Sequence, residues 1–179
     1  MWKNTKLKYG LVTKVLHWIS ALTVFSLFVA GYWMVDLTYY SQWYKTAPHW
    51  HKSIGILLFI ATLLRLIWRF YNVSPANIAS HSKNVKLASK LVHIGIYLLL
   101  IVLMTSGYLI STADNRAIEV FGWFEVGSLG ELFDKQADIS GFVHQYVAYS
   151  LIALSVLHAI AAIKHHIIDK DETLKRMIK

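Results

Sequence analysis

ISGFVHQYVAYSLIALSVLHAIAAI, residues Ile139–Ile163, contains no charged side chain. It is long enough to cross the hydrocarbon core of a bilayer as a helix, which takes about 20 residues. Within it, His144 and His158 are fourteen residues apart. On a helix that spacing points both rings almost the same way, roughly 21 Å apart along the axis. An imidazole at membrane depth is expensive and usually has a task. One helix with two imidazoles on one face, at two depths, is what two stacked metal centres would need.

Three further apolar runs lie upstream. Val15–Val35 and Leu91–Ala113 carry no charge, and Ser53–Trp68 is interrupted only by Arg65. Backbone groups in lipid must pair within their own segment, so each run is expected to be helical. With their interfacial turns, the spans are expected at about 13–36, 51–71, 90–113 and 139–167, with an outer loop over 114–138. The expected fold is an all-α integral membrane four-helix bundle forming one domain over 1–179.

Charge sets the expected orientation. Fourteen of the 18 Lys and Arg fall before the first span, around the second connection, or after the fourth span. The other two connections hold only Lys45, Lys52, Arg116 and Lys135. The positive-inside rule then places both termini in the cytoplasm. It also accounts for the formal net charge of +8 without a nucleic-acid partner. The first apolar run is too long for the core of a cleavable signal peptide, and no small-residue cleavage pattern follows it. Ser74-Pro75-Ala76-Asn77 reads as a turn between spans two and three. Ala117–Phe133 reads as a short amphipathic piece on the outer surface, although Gly122, Gly127 and Gly130 weaken a helix there. The tryptophans near the span ends suit an interfacial aromatic belt.

Depth sorts the histidines. With alternating spans, His51 and His144 share the outer level, while His17 and His158 share the inner one. Each pair could supply two axial imidazoles to one haem iron, and a six-coordinate iron carries electrons well but binds oxygen poorly. There are no cysteines, which excludes disulfides, iron–sulfur ligation and covalent haem attachment. The expected cofactors are therefore two non-covalent haem b groups with bis-histidine ligation. Gly31, Gly55, Gly107, Ser155 and Ala159 could admit a flat macrocycle, or simply pack helices closely. His93 lies at the depth of His17 and could replace an inner ligand, bond a propionate, or face a quinone. Arg65 and Arg69, one turn apart, could snorkel to lipid phosphate or pair with inner propionates. Lys52, beside His51, could serve the outer haem likewise. His165 and His166 suit a solvated helix end or a quinone contact, while His49 and His81 read as loop residues.

With these residues placed, almost the whole chain resembles the bacterial cytochrome b561 family, which is related to the cytochrome b subunits of hydrogenases and formate dehydrogenases. The resemblance rests on Leu16-His17-Trp18, His51-Lys52-Ser53-Ile54-Gly55, Leu64-Arg65-Leu66, Ser106-Gly107-Tyr108, and His93, His144 and His158. Its most specific stretch is Lys164-His165-His166 followed by Asp169–Met177. The resemblance implies a four-helix di-haem inner-membrane protein, with His17, His51, His144 and His158 as ligands. It also implies electron exchange with the quinone pool, a quinone as substrate, and an electron donor that could be an outer-side protein. A homodimer is among the assemblies open to it.

Some members of the family look like superoxide oxidases, so the resemblance also admits a superoxide:ubiquinone oxidoreductase. An enzyme collecting an anion should present a positive mouth. Here the outer connections hold seven carboxylates, Asp36, Asp114, Glu119, Glu125, Glu131, Asp134 and Asp138, against four bases. Superoxide:ubiquinone oxidation therefore ranks below general quinone-linked electron transfer. Two alternatives remain: a haem-bearing anchor for a peripheral dehydrogenase, and a haem-free metal-ion or proton transporter. The scarcity of carboxylates within the spans counts against the transporter.

Overall fold

The computed structural model describes residues 1–76, 78 and 81–179. Four long helices dominate it: α1 (Leu11–Met34), α2 (Thr46–Tyr71), α3 (Lys83–Thr112) and α4 (Gln136–Ile167). All four are long and apolar enough to cross a membrane. A two-stranded antiparallel hairpin, β1 (Ile118–Val120) with β2 (Phe124–Val126), joins α3 to α4, and a short α5 (Lys175–Ile178) closes the chain.

Two helices begin well before their expected spans. Ser82 caps α3, its hydroxyl accepting from the Val85 amide at 3.3 Å. The helix therefore starts in the polar turns of Lys83, Lys86 and Lys90, where hydropathy gives no signal. The Pro48 of α2 sits in the first turn, where its missing N–H costs no helical bond. Of the expected turn at Ser74–Asn77, Ser74–Ala76 have no regular structure and Asn77 lies outside the described residues.

The bundle is inverted relative to a water-soluble one. Large apolar side chains such as Leu22, Leu98 and Phe142 point outward. The most buried positions include Ser20, Ser53, Thr62, Ser106, Thr112 and Ser140. Small polar residues let helices approach where lipid removes the hydrophobic drive. Their hydroxyls are satisfied locally: Ser20 donates to the Leu16 carbonyl at 2.6 Å, Thr62 to Leu58 at 2.8 Å, and Thr112 to Tyr108 at 2.9 Å. The most extensive contacts are α3 with α4 and α1 with α2; α1 meets α4 only sparsely.

The expected amphipathic piece over Ala117–Phe133 is instead a hairpin that closes one end of the bundle. Ile118 and Val120 are buried, while Glu119 between them faces out. The Ser53 hydroxyl on α2 donates to the Glu119 carbonyl at 3.2 Å and accepts from the Phe121 amide at 3.4 Å. The tip turns through Phe121 (φ 50°) and Gly122 (φ 72°), a left-handed pair that suits a tight hairpin turn. The buried Gln136 side chain joins Leu132, Leu109 and Gly130 beneath the loop.

The opposite end is tied by the tails. The Trp18 indole donates to the Met177 carbonyl at 2.9 Å, and Lys14 Nζ to the Lys179 carbonyl. Arg176 donates to the Ala76 carbonyl at 2.8 Å, and the Ala76 amide to Lys6 at 2.9 Å. Both termini and the α2–α3 connection thus meet at one end, opposite the hairpin.

Candidate functional site

The four depth-matched histidines meet as two ring pairs. Near the hairpin, the His51 and His144 rings have centroids 6.3 Å apart with planes at 69°. Near the termini, His17 and His158 are 6.4 Å apart at 76°. α4 supplies one ring to each pair, as the fourteen-residue spacing anticipates.

Around the hairpin-end pair the surroundings are specific. The ring N–H at Nδ1 of His144 donates to the Leu103 carbonyl at 2.9 Å, with the Ser106 hydroxyl at 3.3 Å. A carbonyl only accepts, so the proton sits on Nδ1 and leaves the Nε2 lone pair free. A Cβ on Gly107 would stand 3.0 Å from His144 Cε1, and one on Gly31 3.1 Å from His51 Cε1. Both glycines are therefore places where the backbone itself backs a ring. Gly55, in contrast, has no described atom within 4 Å of where a Cβ would stand. His51 Nδ1 is buried without a hydrogen-bond partner among the described residues.

The terminal-end pair is more crowded. Arg65 Nη2 donates to His17 Nδ1 at 3.0 Å. A guanidinium has no acceptor, so this contact leaves the proton of a neutral His17 ring on Nε2. Arg65 and Arg69 also stand 5.4 and 5.8 Å from the Tyr97 ring centroid, within cation–π range. His93 is the third ring of the group, 5.1 Å from His158. Its Nδ1–H donates to the Ser89 carbonyl at 2.7 Å. Lys52 is half-buried and forms no ion pair among the described residues.

Sequence reasoning missed one cluster. His81, expected as a plain loop residue, bonds Asp171 through Nε2 at 2.6 Å. His165, expected at a solvated helix end, has Nδ1 2.6 Å from Asp169 and 3.7 Å from Asp171. Burial alone would raise the Asp171 carboxyl, but polar contacts from Thr173 and His81 outweigh it and hold it at about 2. Lys164, bonded to Asp169 at 2.6 Å, holds that carboxyl below the usual range, with His165 assisting. The four-residue step from His165 to Asp169 is visible in the sequence. The join to His81, ninety residues from Asp171, is not.

Known proteins resemble this chain over nearly its whole length. Residues 8–179 match the family described as prokaryotic cytochrome b561. The chain is 47% identical over 175 residues to cytochrome b561 homolog 2 of Escherichia coli (strain K12), covering 98% of this chain and 93% of that protein. It is 27% identical over 176 residues to a Yersinia pestis protein named "Probable superoxide oxidase CybB", covering 96% of each. Four apolar helices, the match over most of the length and the close relative lead to one assignment: the chain belongs to the prokaryotic cytochrome b561 family of multi-pass membrane proteins that bind haem b and transfer electrons.

Proposed function

We propose that this chain is a di-haem b-type cytochrome of the bacterial inner membrane, carrying electrons across it in quinone-linked respiration. The observation that carries the reading is the near-equal spacing of the two ring pairs, 6.3 and 6.4 Å. One metal bonded to an imidazole nitrogen on each side at about 2 Å, plus the half-width of each ring, accounts for such a separation. The backbone cradles at Gly31 and Gly107, the unpartnered His51 Nδ1 and the free Nε2 of His144 also suit haem b. His51 with His144, and His17 with His158, would be its ligands.

When bound, haem b supplies a one-electron couple at each level, and the chemistry belongs to that cofactor. The protein orients its imidazoles through second-shell bonds such as Leu103 to His144. The hairpin, whose Ile118 and Val120 are buried, is held to Ser53, two residues from His51, at the same end as the outer pair. At the other level, Arg65 and Arg69 provide positive charge for propionates. His93 and Arg69 are the best-placed quinone contacts. His165 is engaged by Asp169, which leaves it less suited. With the hairpin outside and the termini in the cytoplasm, the charge pattern obeys the positive-inside rule.

The test is a reduced-minus-oxidised visible spectrum of the purified protein, with haem and protein measured on one sample. Two low-spin b haems per chain are expected. One would mean that a pair is misassigned, and none after haem-supplemented expression would overturn the reading. A second reading, superoxide:quinone oxidoreductase, draws on the likeness to the Yersinia pestis protein. It requires rapid haem reduction by superoxide that weakens with salt. The acidic hairpin end makes it the weaker of the two.

A further inference from the structure

The terminal end holds a second group of metal-ligating side chains, well separated in role from the ring pairs. His81 precedes α3, His165 is in the last turn of α4, and Asp169 and Asp171 lie just beyond it. One ligand atom from each of His81, His165 and Asp171 falls within a sphere where all are within 4.8 Å of one another. The individual separations are 2.6 Å for His81 Nε2 to Asp171 Oδ2 and 3.7 Å for His165 Nδ1 to the same oxygen. Asp169 Oδ2 stands 2.6 Å from His165 Nδ1 but is not among the mutually close ligand atoms. The His81 and His165 rings lie 4.6 Å apart at 33°. That near-stacked arrangement brings two imidazoles to the same carboxylate. The Asp171 side chain is 7% exposed and the two histidine side chains 17% and 16%.

We infer that His81, His165 and Asp171 form a three-donor binding site for a divalent first-row transition metal, zinc being the best fit, with the fourth position left to water. Two imidazoles and carboxylate oxygens are a borderline set that zinc accepts in tetrahedral geometry. Bonds of about 2 Å in a tetrahedron hold the donors about 3.3 Å apart. The His81–Asp171 and His165–Asp171 separations, 2.6 and 3.7 Å, straddle that value, so these three side chains need to shift only slightly. His165 must then release Asp169, which now stands 2.6 Å from its Nδ1. The donors come from two stretches distant in sequence, His81 and His165–Asp171, so the metal would clamp the α2–α3 connection to the end of α4 and the tail that follows it. The competing arrangement is a metal-free clasp of hydrogen bonds. The site stands independently of haem ligation, because none of its residues belongs to the ring pairs.

The experiment uses the untagged, haem-loaded full chain, stripped with chelator and dialysed against micromolar zinc. One zinc per chain is expected by elemental analysis, with a rise in melting temperature. His81→Ala and Asp171→Asn should each weaken zinc retention at least about tenfold, with the haem spectrum unchanged, and should lose the zinc-dependent rise. X-ray absorption at the zinc edge of the unaltered protein should show two imidazoles with oxygen ligands, a result that does not depend on either variant folding. No retained zinc, equal retention in both variants, or a shell without imidazole would overturn the site.

Discussion

The two ends of the bundle each hold a histidine pair at almost the same spacing, yet they hold it differently. At the hairpin end, His144 is fixed by a carbonyl with its Nε2 lone pair free, and glycines back both rings. At the terminal end, Arg65 holds His17 in the opposite tautomer, and His93 crowds His158. If the pairs serve as the proposed ligands, the first is organised for ligation as it stands, whereas the second must move a ring proton and release a guanidinium before His17 Nε2 can serve. Preorganisation is thus uneven along one bundle.

The largest test of that contrast is to break each pair. His144→Ala should take the haem-to-protein ratio from two to one and spare the terminal-end haem. His158→Ala should also give one haem, but with the complementary spectrum. Identical residual spectra would show that the pairs do not act as separate sites.

A smaller effect is expected from two glycines of α3 that each approach α4. A Cβ on Gly107 meets the His144 ring, which its bond to Leu103 keeps from yielding. One on Gly95 meets only the Leu154 Cδ2 methyl at 3.2 Å, which can rotate away. Gly107→Ala should therefore lower the content of the hairpin-end haem, while Gly95→Ala leaves both haems at wild-type levels. Pyridine-haemochrome quantification of the two variants decides between them.

Arg65→Gln sharpens the comparison further. Loss of a cation beside the terminal-end pair disfavours the reduced state there, so its midpoint potential should fall by on the order of tens of millivolts. The hairpin-end potential should not move. Potentiometric titration resolves the two couples, and a fall in both would mean the charge acts over the whole bundle. The smallest effect belongs to His93→Ala, which should keep both haems. At 5.1 Å from His158 its ring is too close to share one metal in the manner of the 6.4 Å pair. Loss of a haem in that variant would move His93 into the ligand set.

Much of this was legible from the sequence. Hydropathy located four spans, and alternation of depth paired His51 with His144 and His17 with His158. The hairpin was not legible, because three-residue strands such as Ile118-Glu119-Val120 are too short to show a two-residue period. The tautomer of His144 was hidden because its partner is a backbone carbonyl, which any residue at position 103 would provide. His81 and Asp171 were hidden by distance along the chain. Charge and hydropathy mark where a residue lies in the membrane, and only the packed tails show what meets it.

Because α4 contributes His144 and His158, one member of each pair, it also sets the order of assembly. It follows the other three spans along the chain, and chains acquire structure from the N-terminus as they are made. α1–α3 can insert and pack, and the hairpin can reach Ser53, while neither ring pair yet exists. On the proposed assignment, cofactor loading at either level therefore awaits the emergence of α4, and a chain cut short before it would lack both pairs.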